Sequence, residues 1–117
     1  MRVKRADTVP AEPVAGSPGA SIRWLWAEKD GAPNFALRLI EVQPGASTPH
    51  HAHPYEHEVY VLSGRASLME GDAGREHALQ PGDTAIVMPN ETHQFVNAGP
   101  DVLRFLCLIP LARGSAS

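Results

Sequence analysis

The chain has 117 residues, a net charge of −3 and a single cysteine, Cys107. That length suits one domain, scattered basic residues exclude the basic stripe of a nucleic-acid binder, and one cysteine excludes an internal disulfide. No run approaches the ~18 apolar residues of a membrane span, and charges and prolines interrupt the opening residues where an apolar leader would lie, so a cytoplasmic protein is expected.

Residues 1–20 begin with the charges Arg2, Lys4 and Arg5, which read as a solvated end. They continue with Pro, Ala and Gly lacking any periodicity, and the segment reads as an arm, ordered only if something holds it. From Ser21 onward short apolar or alternating runs follow one another: Ile22–Ala27, Phe35–Gln43, Glu58–Leu62, Arg65–Glu70, His77–Gln80, Thr84–Met88, Gln94–Asn97 and Val102–Ile109. Turn signals separate them, among them Asp30-Gly31, Pro44-Gly45, Ser63-Gly64, Pro81-Gly82 and Gly99-Pro100. Short strands at this spacing predict an all-β sandwich or barrel over residues 21–112, with 113–117 as a flexible tail.

The chemistry lies between the second and third runs and again before the seventh. His51 and His53 form a His-x-His pair, and an extended backbone turns both imidazoles to one side. His57 follows, and His93 lies in a separate stretch. Histidines at such spacings suit one metal ion, held at about 2.0–2.1 Å per nitrogen. His57 shares parity with Val59 and Val61, and His93 with Phe95 and Asn97, so both ligand candidates lead into core strands. A metal would then sit at the polar mouth of an apolar cavity. Spacing alone leaves His57 and its neighbour Glu58 both open as the fourth donor, because only one of two adjacent strand residues can face the ion.

These residues resemble the two motifs of the cupins. Gly45, His51, His53, His57 or Glu58, and Gly64 follow the order of the first motif. Gly82, Met88, Asn90, His93 and Asn97 follow that of the second, with Met88 and Asn90 where Pro and Gly are usual. Asn is the residue after Gly that best tolerates positive φ, and Pro89 stiffens the turn, so the turn is expected to survive. The resemblance implies a double-stranded β-helix (jelly-roll) barrel with a metal inside and a homodimer. The block from His53 to Leu62 is similar to small single-domain cupins with four histidine ligands, some of which bind manganese. On that resemblance the fourth ligand is His57 rather than Glu58, and the cofactor is one divalent transition metal per chain. Manganese or iron is favoured, with nickel, copper and zinc also allowed.

Neutral imidazoles leave the ion its full charge, and four donors on an octahedral ion leave two positions open. Other groups expected around the cavity are Cys107, Phe95, Phe105, Asn97 and Glu58, with Asn97, Glu56, Glu58 and backbone carbonyls as acceptors for the histidine N–H groups. His50 faces away from His51, and His77 belongs to a polar outer strand. Trp24 and Trp26 share parity and cover apolar surface or a dimer seam, with a substrate platform as the alternative. Arg38, on the parity of Ala36 and Ile40, reads as surface charge, or alternatively as a group that reaches an acidic substrate. Cys107 reads as a small buried hydrophobe, or alternatively as an oxidisable group beside the metal. The resemblance makes a metal-dependent oxygenase acting on a small organic substrate the leading expectation. A non-catalytic binding module and a metal-assisted isomerase follow.

Overall fold

In the computed structural model, which describes residues 1–72 and 74–111, two antiparallel sheets enclose one apolar interior. The strands are β1 (Glu12–Pro13), β2 (Ala20–Trp26), β3 (Phe35–Val42), β4 (His57–Ser63), β5 (Ala66–Glu70), β6 (Arg75–Leu79), β7 (Thr84–Val87), β8 (His93–Asn97) and β9 (Leu103–Pro110). Six form a sheet in the order β1-β2-β3-β9-β4-β7, and three form a second in the order β6-β5-β8. Early strands thus pair with the last one, the wrapping of a jelly-roll barrel. Every expected run becomes a strand, with ends displaced by a residue or two. Among the described residues no helix is long and apolar enough to cross a membrane.

Alternation determines what fills the interior. On β4, His57, Val59 and Val61 are buried while Glu58, Tyr60 and Leu62 are exposed. On β9, Leu103, Phe105, Cys107 and Ile109 are buried in the same rhythm. Phe105 meets Phe95 of the opposite sheet at 4.6 Å between ring centroids, closing the two layers face to face. Gly64 ends β4 at φ 79°, and a Cβ there would lie 2.6 Å from the Val102 carbonyl oxygen. The glycine of the first motif is therefore demanded both by backbone conformation and by close approach.

Residues 1–20 do not stand away from the barrel. A short 3-10 turn at Ala6–Thr8 leads to buried Val9, which joins Leu25 and Leu39 in a second apolar cluster on the outer face of the large sheet. Arg23 holds this segment by donating to the Val9 carbonyl at 2.6 Å, while its Nε pairs with Glu41 at 2.9 Å. The chain then pairs β1 with β2 (Glu12 opposite Ile22, Pro13 opposite Ser21) and turns Val14 into the main core. Sequence missed β1 because two residues, one of them proline, carry no periodicity. Only the exposed edge of β2 makes them a strand.

Alternation fails at one place. The β2–β3 register shifts between Trp24 and Trp26, a bulge that puts two successive residues on the same side. Trp24 packs on the inner core, whereas Trp26 joins Leu25 in the outer cluster, beneath Lys4 (Nζ 4.0 Å from the ring centroid). The two indoles therefore do not share a face, contrary to the parity reading. The expected tail, 113–117, lies outside the described residues.

Candidate metal centre

The loop before β4 is laced onto β8, and this lacing assembles the site. Thr48 N–H donates to the Phe95 carbonyl at 2.9 Å, and Phe95 N–H donates to Thr48 Oγ1 at 2.9 Å. Gln94 adds two side-chain bonds to Ser47 Oγ and the Thr48 carbonyl, so it braces the loop from outside the cavity. One step further, His51 and His93 exchange both backbone hydrogen bonds, at 3.1 and 2.9 Å. The two motifs are thereby joined at the very residues that carry the imidazoles. The departure at Asn90 is accommodated as expected, since Asn90 holds φ 68°. Its N–H donates to the His53 carbonyl at 2.6 Å, tying the second motif to the first.

The ligand nitrogens of His51, His53 and His93 lie within 4.8 Å of one another, an arrangement that could hold a metal ion. His51 Nε2 and His53 Nε2 are 3.1 Å apart. Two donors each about 2.1 Å from a shared ion, at roughly a right angle, have that separation. A hydrogen bond between the rings would also have it. Two further observations bear on what the cluster can hold, although His57 lies outside the group of three whose ligand atoms gather within 4.8 Å. His93 Nδ1 donates to the Glu91 carbonyl at 2.9 Å, which leaves Nε2 with its lone pair free. His57, 4.9 and 5.0 Å from His53 and His93 between ring centroids, has its Nε2 buried with no hydrogen-bond partner. A buried imidazole nitrogen costs free energy unless something accepts or donates there, and a cation among the four rings would satisfy it.

Electrostatics keep these rings neutral. Burial, then the neighbouring His53 and His93, lowers the His51 pKa to about 4. Burial, then the Arg38 guanidinium, lowers His57 to about 3. His53 and His93 are lowered as well, burial again leading. At neutral pH all four are uncharged, so each keeps one N–H and one ring nitrogen with a lone pair available to a metal.

The histidines line one end of a cavity of about 280 Å³ whose walls include Trp24, Ile40, Phe95, Phe105 and Cys107. Glu12, Pro13, Val14 and Ala15 of the folded-back segment form its outer wall, a contribution invisible in a sequence read as a loose arm. Three expectations need correction. Glu58 is exposed on the outer face of β4, so it cannot reach the cluster, as strand alternation requires once His57 faces inward. Asn97 is buried but lies away from the cavity, donating to the Val42 and Asp101 carbonyls and accepting from Gly99 N–H. Arg38, read as surface charge, is only 6% exposed and faces the cavity. Its parity with Ala36 and Ile40 was the signal, overridden by the rarity of buried arginine. Cys107 Sγ accepts from Arg38 Nη2 at 2.8 Å, yet burial raises its pKa above the ordinary value, so it stays a thiol at neutral pH.

His50 is exposed, with its Nε2 3.8 Å from Asp72, and His77 Nε2 lies 2.7 Å from Glu70 Oε1. Neither lines the histidine cavity, although His50, next to His51 in the chain, helps lower the pKa of His51 and His93.

The structure defines an all-β barrel with a histidine cluster opening into an apolar cavity. The chain belongs to the cupins: the cupin domain family model matches residues 38–109. No curated protein matches it. Among solved structures, the polyketide cyclase RemF from Streptomyces resistomycificus is 37% identical over 98% of this chain and 82% of its own, with a TM-score of 0.89. A predicted oxalate decarboxylase from Thermotoga maritima (23% identical, 95% of this chain and 100% of that one, TM-score 0.81) shares the fold. So does a cupin sugar phosphate isomerase from Silicibacter pomeroyi, at 24% identity over 95% of this chain and 76% of that one, with a TM-score of 0.80.

Proposed function

We propose that this protein is a metal-dependent cupin in which His51, His53, His57 and His93 hold one divalent transition ion, and that it promotes ring closure of a small, oxygen-rich, enolisable molecule. The observation that carries the reading is the orphaned His57 Nε2, buried beside three gathered imidazoles with no hydrogen-bond partner. An all-imidazole donor set suits manganese, iron, nickel, copper or zinc. When bound, such an ion supplies Lewis acidity to substrate oxygen.

The chain's own residues contribute the rest. Glu91 fixes the His93 tautomer through its carbonyl. Trp24, Phe95 and Phe105 give an apolar wall that orients a planar substrate and excludes water, which suits cyclisation of a reactive carbonyl chain over its hydrolysis. The likeness to a polyketide cyclase along nearly the whole chain supports ring closure over the oxidative cleavage that the motifs alone made the leading expectation.

Tag-free protein should carry about one transition ion per chain by elemental analysis. With a poly-β-carbonyl thioester analogue it should yield a cyclised product by mass spectrometry without consuming dioxygen. Dioxygen uptake with cleaved products would establish the oxygenase instead, and protein that takes up no metal would end the reading altogether. We propose further that the working unit is a homodimer. Tyr60 and Ile86, 48% and 54% exposed on the outer face of the large sheet, support a second copy there, and light scattering tests it.

A further inference from the structure

Arg38 sits in the middle of β3 with its side chain turned into the histidine cavity. It is 6% exposed, and its Nε is sealed from water with no hydrogen-bond partner. Among the described residues its one hydrogen-bond acceptor is the Cys107 sulfur, a weak one. The Trp24 ring lies 5.4 Å from the guanidinium carbon and offers only its π face. A buried guanidinium cannot shed its proton, so it needs a counter-charge. The surrounding residues provide none. Cys107 is a neutral thiol, and Glu41, the carboxylate of the same strand, is spent on Arg23 and Arg104 on the outer face. Among the described residues the one carboxylate lining the cavity is Glu12, which is exposed. The four neutral imidazoles add no negative charge, and a bound divalent ion would add two positive ones.

We propose that Arg38 is the anchor for a resonance-stabilised oxyanion, the carboxylate, phenolate or enolate of an aromatic or otherwise apolar ligand, bound between the guanidinium and the histidine cluster. The inference deepens the reading of this cavity as a substrate site and names the charge that the substrate carries. Arg38 supplies the anion's counter-charge from one side of the cavity. Trp24, Phe95 and Phe105 cover the apolar body. The ligand in turn satisfies the guanidinium that the fold leaves unpaired. A neutral ligand of the same shape would leave that charge buried and unmatched, so discrimination should be large.

Benzoate and benzamide share their shape and differ in charge, which makes them the probes. Titration calorimetry on chelator-stripped protein removes any contribution from a metal. Wild type should bind benzoate at least tenfold more tightly than benzamide, with quenching of Trp24 fluorescence in a Trp26→Phe background. The preference should vanish in Arg38→Gln and be partly restored in Arg38→Lys. Equal binding of the two probes by stripped wild type overturns the proposal without any variant, so a misfolded Arg38→Gln cannot shelter it. A preference that survives in folded Arg38→Gln overturns it equally. Elemental analysis of the unstripped protein reports separately on the metal: a chain that binds benzoate through Arg38 but carries no ion refutes the metal reading and leaves this one standing.

Discussion

Among the described residues two hollows of similar size share His93 as a lining residue, and they differ in how their other polar groups are paired. The cleft between the edge strands β6 and β7 measures about 320 Å³ and includes His77 and Glu70 among its lining. These two satisfy each other at 2.7 Å, and His77 draws the Glu70 carboxyl below its ordinary pKa. In the cavity of about 280 Å³ the polar groups are left wanting: His57 Nε2 and Arg38 Nε are buried without partners. A folded chain tolerates an exposed, self-paired ion pair at almost no gain or loss. Buried polar groups left without partners are rare in folded chains and cluster at functional sites. Satisfaction rather than size is therefore what sets the candidate site apart from the cleft.

Removing the completing imidazoles should have the largest effect. His93→Ala or His57→Ala should lower metal content from about one ion per chain to less than about a tenth, read by elemental analysis on tag-free protein. Retained metal in either variant would erase the contrast between the two hollows. The cavity floor is also core, whereas the cleft wall is edge. Phe105→Ala should cost about 3–5 kcal/mol in urea denaturation, and Leu79→Ala, half-buried on β6, about 1 kcal/mol. Equal losses would mean that the cavity is not set in the core as described.

A smaller effect is expected with pH. Below the ordinary imidazole value of 6.5 an unfolded chain gains protons that the folded chain refuses, because His51 and His57 ionise only at about 4 and about 3. Stability from keeping them neutral is complete above that value and is lost as pH falls toward the folded ones. Metal-free protein should therefore melt lower at pH 5 than at pH 7, and His57→Gln should flatten the slope; an unchanged slope would place the proton uptake elsewhere. The smallest effect belongs to His77→Ala, which should alter stability by less than about 0.5 kcal/mol and leave metal content unchanged.

Much of this was legible from sequence, because strand alternation is a strict rule. It turned His57, Val59, Val61 and Cys107 inward, and the tolerance of Asn for positive φ accounted for the turn at Asn90. What escaped depends on contacts that no local pattern encodes. The bulge between Trp24 and Trp26 breaks the alternation by which both indoles were given one face. Residues 12–15 become a cavity wall only because β2 leaves an edge open to them. Arg38 followed the inward parity of its strand, but the general preference of arginine for water argued the other way. Parity was the better guide, and the missing counter-charge becomes visible only once the chain is folded.

The central question is whether His57 joins the other three imidazoles around one ion. A crystal structure of metal-loaded protein, with anomalous differences collected at the metal edge, tests this most directly. The account predicts one peak about 2.0–2.3 Å from a nitrogen of each of His51, His53, His57 and His93. A peak held by three histidines with His57 left out, or one in the cleft beside His77, would contradict it.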